Sequence, residues 1–301
     1  MTDKKTNVQS LPWTGERYLP EVQGSIELEH LHRYLFAKQF ISGRRVLDIA
    51  SGEGYGSALL AQSAVSVVGV DISPEAVAHA TIKYQADNLE FRLGSCAAIP
   101  LDNNCVDVVV SFETIEHHYE HDEMMGEIKR VLVPGGLLII SCPDKLEYSD
   151  LPCYNNPYHV KELYRGEFEL LLENNFKHHR MAGQRIVYGS VIFCEDGLSK
   201  LTSYDIKDQS LSRTSGVPHA IYLVAIASDS ELPLIESGVL EQPMNESELV
   251  VRCNAERAAQ IAERDVQIAE RDVQIAGLIT SKSWQLTKPL RFISRLLRSK
   301  L

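Results

Sequence analysis

The sequence has no Cys-x-x-Cys pair, no Gly-Lys-Ser/Thr motif and no apolar run of the about 18 residues that a bilayer-spanning helix needs. Its six cysteines are scattered, a spacing that fits neither a zinc site nor a disulfide framework. We therefore expect reduced thiols, no metal and no phosphate-binding P-loop. Residues 1–10 are polar and lack the apolar stretch of a signal peptide, so we expect a cytoplasmic protein.

Acidic residues outnumber basic ones outside the C-terminal end. The net charge of -11 argues against a protein that wraps nucleic acid, and we expect no nucleic-acid partner. Residues 277–301 nevertheless contain basic residues and no acidic ones, so an acidic body precedes a basic tail. The basic residues of this tail are Lys282, Lys288, Arg291, Arg295, Arg298 and Lys300.

Short apolar segments alternate with helical patterns, and their hydrophobicity is continuous, which is typical of parallel strands buried on both faces. Two further strand-like segments, 185–193 and 220–227, would complete the sheet as an antiparallel edge. We predict a Rossmann-like, doubly wound, mostly parallel seven-stranded α/β sheet, followed by a C-terminal helical coiled coil. The first five predicted strands cover residues 44–49, 65–70, 89–93, 106–111 and 137–142.

Heptads repeat near the C-terminus, where AERAAQI is followed by two copies of AERDVQI. Val266, Ala269, Val273 and Ala276 form an apolar seam on one helical face. Half of this seam is alanine, so we expect it to support an oligomer rather than to drive one alone. The predicted division is a helical cap (1–44), an α/β domain (45–228), a linker (229–250), a coiled coil (251–281) and a basic amphipathic tail (282–301).

A glycine-rich loop, residues 50–56, follows the first predicted strand, with Asp48 before it and Glu53 inside it. In a dinucleotide site such a loop cradles a pyrophosphate, which these carboxylates would repel. They would attract a cation, and S-adenosylmethionine carries an ammonium and a sulfonium but no phosphate. Asp71 ends the second strand, where a carboxylate can accept both hydroxyls of an adenosine ribose. The alternative is that Asp71 only caps the next helix.

Five segments together resemble the class I S-adenosylmethionine-dependent methyltransferases of the methyltransferase type 11 kind: VLDIASGEGYG, VVGVDIS, AAIPLDNNCVDVVVS, FETIEH and IKRVLVPGGLLIISCPD. The resemblance implies that Asp48, Gly52 and Gly54 border the methionine moiety, and we expect Ala50 and Tyr55 of the same loop in the site. It also implies roles for residues after the later strands: Asp71 and Ile72 at the ribose, Ser95 and Cys96 at the adenine, and Glu113 in the pocket wall.

This chain departs from the family at two of these positions. Ala50 stands where the family often has glycine, and Ser95 stands where it often has aspartate. A serine bonds the adenine amino group only weakly. Adenine binding is therefore the part of the site that the resemblance supports least.

An oxygen acceptor needs a base to take its proton, and histidine titrates near neutrality. His117 follows the fourth predicted strand, and His159 and Glu162 follow the fifth, where ligands of parallel sheets gather. We predict catalytic roles for these three residues. The alternative is that the histidines are solvated, and no helix-spaced ligand pair supports a metal site.

The segments that flank this domain give further hypotheses. The stretch 13–18 and a predicted helix over 28–41, with His30, Arg33 and Tyr34 close together, could form a lid over the cofactor or a packing helix. In the tail, arginines face away from apolar residues, as in an interfacial membrane helix, although a partner-binding helix fits equally.

Residues 250–301 resemble the C-terminal ends of bacterial surface-polysaccharide enzymes, through the heptads and the pattern S-x-S-W-x-L-T-x-P-L-R. This resemblance implies a sugar hydroxyl as acceptor, on a nucleotide-sugar or a lipid-linked glycan. We predict a sugar O-methyltransferase at the inner face of the cytoplasmic membrane, in a homo-oligomer or hetero-complex. The alternatives are a methyltransferase of a quinone or lipid precursor and a non-catalytic scaffold.

Overall fold

The computed structural model describes residues 19–20, 25–187, 189–195, 201–207, 210–241 and 248–287. The chain divides into two compact units, Met1–Gln242 and Pro243–Leu301. The predicted lid segment 13–18 and the arginines of the tail lie outside the described residues.

A nine-stranded mixed sheet forms the centre of the first unit, in the order β11-β7-β6-β10-β5-β4-β1-β2-β3. The five strands at one end of this order, β5, β4, β1, β2 and β3, are parallel to one another. At the other end all pairs are antiparallel: β10 pairs with β5 and β6, and β7 pairs with β6 and β11. The strands are β1 Arg45–Ile49, β2 Ser66–Asp71, β3 Leu89–Leu93, β4 Val106–Phe112, β5 Leu132–Pro143, β6 His178–Ile186, β7 Gly189–Cys194, β10 Tyr222–Ser228 and β11 Gly238–Glu241. A separate two-stranded ribbon joins β8 Thr202–Lys207 to β9 Ser210–Ser215.

The Rossmann-like fold is confirmed, but the sheet has nine strands rather than seven. The predicted single strand 185–193 is wrong, because the chain turns after Ile186 and the segment divides between β6 and β7. The predicted linker also contains β11, which pairs with β7. Its residues alternate between half-buried and exposed, which explains why their sequence gives a weak strand signal.

Both faces of the sheet are buried, as the continuous apolar strands predict. Along β4, Val109 packs into the core on one face, while Val108 and Val110 pack into the core on the other. Helices cover the two faces: α1 Ser25–Ala37, α2 Tyr55–Ala61, α3 Pro74–Lys83, α4 His121–Val131 and α5 Arg165–Asn175.

Helix α3 begins as its sequence predicts. The Ser73 hydroxyl accepts a hydrogen bond from the backbone N–H of Ala76, and Pro74 occupies the first helical position. The predicted helix 28–41 is displaced: α1 begins at Ser25 and ends at Ala37, and a 3-10 turn, Lys38–Phe40, follows. Both helices pack against the glycine-rich loop, because Ala80 of α3 lies next to Gly54 and Tyr34 of α1 lies next to Gly56.

The described residues of the second unit form a long helix, α6 Glu248–Thr280, followed by the short helix α7 Lys282–Leu286. Val266 and Val273 of the predicted seam are 60% and 73% exposed. Pairing of this helix into a coiled coil stays a prediction. Within the part of the chain that the structure describes, every helix falls short of the combined length and hydropathy needed to cross a membrane.

Candidate active site

A cavity of about 630 Å³ lies at the carboxyl ends of β1, β2 and β4. This is where open α/β sheets bind ligands, and the volume falls within the roughly 300–1,000 Å³ of small-molecule sites. Of the predicted cofactor residues, those that line the cavity are Ala50, Gly52, Tyr55, Asp71, Ile72, Ser95, Cys96 and Glu113. The structure therefore brings together residues from four separate segments of the sequence.

Asp48 does not line this cavity but lies fully buried next to the loop. The Tyr34 hydroxyl donates towards its carboxylate, 3.3 Å from each oxygen, and the Ser57 hydroxyl donates to Oδ2 at 2.6 Å. Burial raises the pKa of Asp48 to about 7, although these hydrogen bonds oppose the rise. Asp48 thus joins α1 and α2 to the end of β1, rather than presenting a charge to the ligand.

Gly54 is also absent from the cavity wall. Its φ of 97° lies in the left-handed region, and a Cβ built there would stand 2.7 Å from the Cβ of Ala80. Glycine is required at this position because the loop packs closely on α3. Gly54 therefore has a packing role, and its contact with the methionine moiety stays a prediction.

The carboxylate of Glu53 is compensated within the protein. It accepts hydrogen bonds from Nζ of Lys83 at 2.6 Å and from the hydroxyl of Tyr84 at 2.7 Å, and it lies 2.9 Å from Nε2 of His79. All of these partners come from α3 or its C-terminal end. Lys83 therefore compensates the negative charge that Glu53 brings to the cavity wall, and attraction of a cationic ligand by Glu53 stays a prediction.

Asp71 ends β2 in the cavity wall and holds the surrounding backbone. Its Oδ2 accepts from the N–H of Gly52 at 2.8 Å, and its Oδ1 accepts from the N–H of Ser73 at 2.9 Å. A carboxylate offers about four acceptor positions, and these two hydrogen bonds use one on each oxygen. The helix cap is supplied by Ser73. This arrangement fits the two hydroxyls of a ribose.

The charges of the cavity fit a cationic, phosphate-free adenosine compound. Among the described residues that line it, none is lysine or arginine, whereas four carry carboxylates: Glu53, Asp71, Glu113 and Glu120. A phosphate would find no permanently charged basic side chain among these residues. At the far side, Ile72 exposes an apolar side chain, and Sγ of Cys96 lies 3.4 Å from Nε2 of His118.

Ser95 gives the adenine position little polar support. Its hydroxyl accepts a hydrogen bond from the N–H of Ala97 at 3.2 Å, so part of its bonding capacity is used within the turn. Ser95 and Ala98 form an isolated antiparallel bridge. The turn that would hold adenine is thus built mainly by backbone contacts.

A second cavity, of about 260 Å³, adjoins the first. The two share His30, Glu113 and His117 in their walls. His159 lines only the second cavity, and Glu162 lines neither. The three residues predicted to be catalytic are nevertheless neighbours, because Oε1 of Glu162 lies 2.5 Å from Nδ1 of His159. Glu162 is therefore a positioning residue for that imidazole.

Hydrogen bonds fix the orientation of the two imidazoles. Nδ1 of His117 lies 3.1 Å from the carbonyl oxygen of Tyr158, to which a neutral ring donates, leaving Nε2 as an acceptor. Glu162 assigns the same tautomer to His159, whose Nε2 lies 2.9 Å from Nδ2 of Asn156. In both rings Nδ1 therefore carries the proton, and Nε2 is the acceptor.

Comparison with known proteins finds a family match for the segment that contributes most of the wall of the first cavity. Residues 47–140 match the family model described as "Methyltransferase domain". Residues 47–140 are thus similar to a methyltransferase domain. A cavity that offers carboxylates and no lysine or arginine among its described residues agrees with the S-adenosylmethionine in the names of its relatives.

The chain spans less than two thirds of the length of the curated relatives that it matches. "Probable S-adenosylmethionine-dependent methyltransferase" of Mycolicibacterium smegmatis is 37% identical over 169 residues, which cover 54% of this chain and 64% of that protein. "Demethylmenaquinone methyltransferase" of Thermus thermophilus is 33% identical over 101 residues, 32% of this chain and 46% of its own. A solved SAM-dependent methyltransferase of Thermotoga maritima, 16% identical, covers 67% of this chain and 89% of its own with a TM-score of 0.49.

Helix α1 contributes site residues that the sequence predicted only as a lid or a packing helix. Arg33 is fully buried and donates from Nη1 to Oε1 of Gln184 at 2.9 Å, with its guanidinium 4.8 Å from the ring centre of Tyr222. Glu29 lines the second cavity, and burial raises its pKa to about 7 against the opposing influence of Arg33. The three- and four-residue spacing of His30, Arg33 and Tyr34 was the signal for this shared face.

Proposed function

We propose that this protein transfers a methyl group from S-adenosylmethionine to a hydroxyl of a sugar acceptor in surface-polysaccharide biosynthesis. The observation that carries the proposal is the position of His117 in the walls of both cavities. Donor and acceptor bound in the two cavities would therefore meet at this side chain. Methyl transfer from a sulfonium depends chiefly on such alignment of the two reactants.

The second cavity supports a hydroxyl-rich acceptor. Its wall combines carboxylates, an amide, imidazoles and the aromatic rings of Tyr148 and Tyr222. Carboxylates and imidazoles accept hydrogen bonds from hydroxyls, and aromatic faces pack on the apolar faces of a sugar ring. A hydroxyl must lose its proton as it is methylated, and Glu116, His117 and His159 are grouped in the wall next to which that proton leaves.

We assign the remaining segments by the same proposal. Helix α6 would join copies of the chain or a partner protein through its seam, and the basic tail would bring the enzyme to an anionic membrane surface. A lipid-linked glycan or a nucleotide-sugar at the inner face of the cytoplasmic membrane would then be within reach. The support for this placement is the charge pattern and heptads of residues 250–301.

Labelled methyl transfer tests the acceptor. The full chain is incubated with methyl-labelled S-adenosylmethionine and separate pools of nucleotide-sugars, lipid-linked glycans and demethylated quinones. We expect label in a sugar pool. Label only in the quinone pool favours the second candidate, a small-metabolite methyltransferase, which the match to "Demethylmenaquinone methyltransferase" supports. Tight cofactor binding without transfer to any acceptor of the full panel favours a scaffold.

A further inference from the structure

We propose that Glu116, His117 and His159 bind a divalent first-row transition metal ion in the wall of the second cavity. One ligand atom from each residue lies within 4.8 Å of the other two. Ions of this class bind imidazole and carboxylate at about 2.0–2.2 Å, which places neighbouring ligand atoms about 3.0–3.5 Å apart and opposite ones about 4.2 Å apart. Side-chain rotations that move the ligand atoms by about an ångström would therefore close the group around an ion.

The backbone holds the two ligand segments together. The carbonyl oxygen of Glu116 accepts hydrogen bonds from the N–H groups of Val160 at 2.8 Å and Lys161 at 3.0 Å. These bonds fix the 3-10 turn that carries Glu116 and His117 against the segment that carries His159. The rings of the two histidines consequently approach each other, with centres 5.2 Å apart.

The partners of each imidazole are those that metal-binding histidines use. A ligating histidine almost always donates its other ring N–H to a carbonyl or a carboxylate, which orients the ring. Here the carbonyl oxygen of Tyr158 serves His117, and the carboxylate of Glu162 serves His159. Both Nε2 atoms are thereby assigned to the ion. An ion at His159 takes the place of the Asn156 amide N–H next to Nε2.

The ligand set indicates the ion and its chemistry. Two imidazoles and one carboxylate leave coordination positions open, a set that suits Mn²⁺, Fe²⁺, Co²⁺ or Zn²⁺. Glu116 is 1% exposed, so its carboxylate would meet the ion where charges interact more strongly than in bulk water. The proposal departs from the expectation of no metal, which was based on the absence of helix-spaced ligands.

For the reaction, which rests on the proposed function, the ion would hold an acceptor through two neighbouring oxygens, as in a vicinal diol. A bound ion lowers the pKa of an oxygen ligand, so the hydroxyl proton is released to solvent. The acceptor oxygen then forms a C–O bond with the methyl carbon while the C–S bond breaks, and the electron pair stays on sulfur. His117 and His159 act as ligands rather than as bases.

Cobalt binding tests the ion site without the cofactor or an acceptor. Tag-free, full-length, metal-free protein is titrated with Co²⁺, and visible absorption and calorimetry report the stoichiometry. We expect one equivalent to bind, and His117→Ala and His159→Ala each to weaken binding at least about 10-fold. His178→Ala, which removes an exposed histidine of β6, is the matched control and leaves binding unchanged. Circular dichroism verifies that each variant is folded.

Two results would overturn the inference. One is Co²⁺ binding that neither His117→Ala nor His159→Ala weakens, or no stoichiometric binding at all. The other concerns the reaction: methyl transfer at full rate in excess EDTA contradicts an ion-held acceptor while leaving the methyltransferase proposal standing. Conversely, a protein that binds Co²⁺ through these residues but transfers no methyl group retains the ion site and loses the proposed function.

Discussion

The Tyr34 hydroxyl lies 3.3 Å from each carboxylate oxygen of Asp48, a residue with no exposed surface. This contact joins α1 to the end of β1, immediately before the cofactor loop. Ser57 of α2 completes the set by donating to the same carboxylate. The loop is therefore supported by a buried acid whose protonation depends on the pH.

Asp48→Asn should stabilise the protein at alkaline pH. The folded protein holds a proton at a pKa of about 7, whereas the unfolded aspartate releases it near its ordinary pKa of about 4. The stability of the wild type consequently falls as the pH rises from about 4 to 7, and the full penalty persists above that range. Asparagine removes the charge and keeps an acceptor for Ser57. We expect a Tm increase of about 3–6 °C at pH 8.

Calorimetric melting at pH 8 and pH 5 separates this effect from general repacking. The difference between Asp48→Asn and wild type should shrink at pH 5, where the native carboxyl is largely protonated. Glu29, which also has a raised pKa, is present in both proteins and cancels in the comparison. Equal Tm differences at the two pH values would contradict the buried-charge explanation.

Ala50→Gly should also stabilise the fold. Ala50 has a φ of 57°, a left-handed conformation that costs an L-residue about 1–2 kcal/mol and costs glycine little. We expect a gain of about 1 kcal/mol in the free energy of unfolding, measured with urea. Ala58→Gly, inside α2, is the control and should lose about 1 kcal/mol. A decrease in the free energy of unfolding for both variants would contradict this and show that contacts of the Ala50 methyl group stabilise the fold.

Asp71→Asn should weaken S-adenosylmethionine binding. Hydrogen bonds to a charged group contribute about 1.5–3 kcal/mol each, so the loss of one ribose contact lowers affinity by about 10- to 100-fold. Fluorescence or calorimetric titration measures the change. Asp102→Asn, an exposed aspartate outside the cavity, is the matched control. Unchanged affinity in Asp71→Asn would remove the ribose assignment.

Glu162→Gln should lower kcat by about 10- to 100-fold while the Kd for S-adenosylmethionine stays constant. The reason is that Glu162 orients His159 and lines neither cavity. Steady-state assays with the acceptor found by labelling give kcat and KM separately. Glu173→Gln, an exposed residue of α5, serves as the control. A parallel loss of cofactor affinity would argue for a general distortion of the fold.

Removal of residues 243–301 should separate assembly from binding. The first compact unit ends at Gln242, so we expect the truncated chain to bind S-adenosylmethionine with unchanged affinity. Light scattering should show a smaller assembly than the full chain, and flotation with anionic vesicles should be lost. An identical subunit number in both chains would rule out assembly through α6.

The sequence was informative where local chemistry decides the structure. The five parallel strands, the cap of α3 and the cavity position of Asp71 follow from patterns within a few residues, whereas that of Glu113 follows from the family resemblance. The fate of Glu53 could not be read in this way, because its neutralisation depends on Lys83 projecting from a helix 30 residues away in the chain.

Long-range packing explains the other differences. Asp48 precedes the loop in the sequence, but the fold encloses its carboxylate between Tyr34 and Ser57. The residue spacing within the loop does not predict this burial. The grouping of the proposed metal ligands has the same origin: Glu116 and His159 belong to segments that meet because backbone hydrogen bonds join the turn after β4 to residues 160–161. The edge strand β11 likewise forms because β7 offers it a partner.

Calorimetric titration with S-adenosylmethionine, set against NAD and ATP on the same preparation, tests the central claim most directly. The claim is that the cavity at the ends of β1, β2 and β4 selects a cationic adenosine compound without phosphate. We predict saturable binding of one S-adenosylmethionine per chain and none of the two phosphate-bearing nucleotides at the same concentrations. Tight binding of NAD or ATP, with no heat from S-adenosylmethionine, would contradict it.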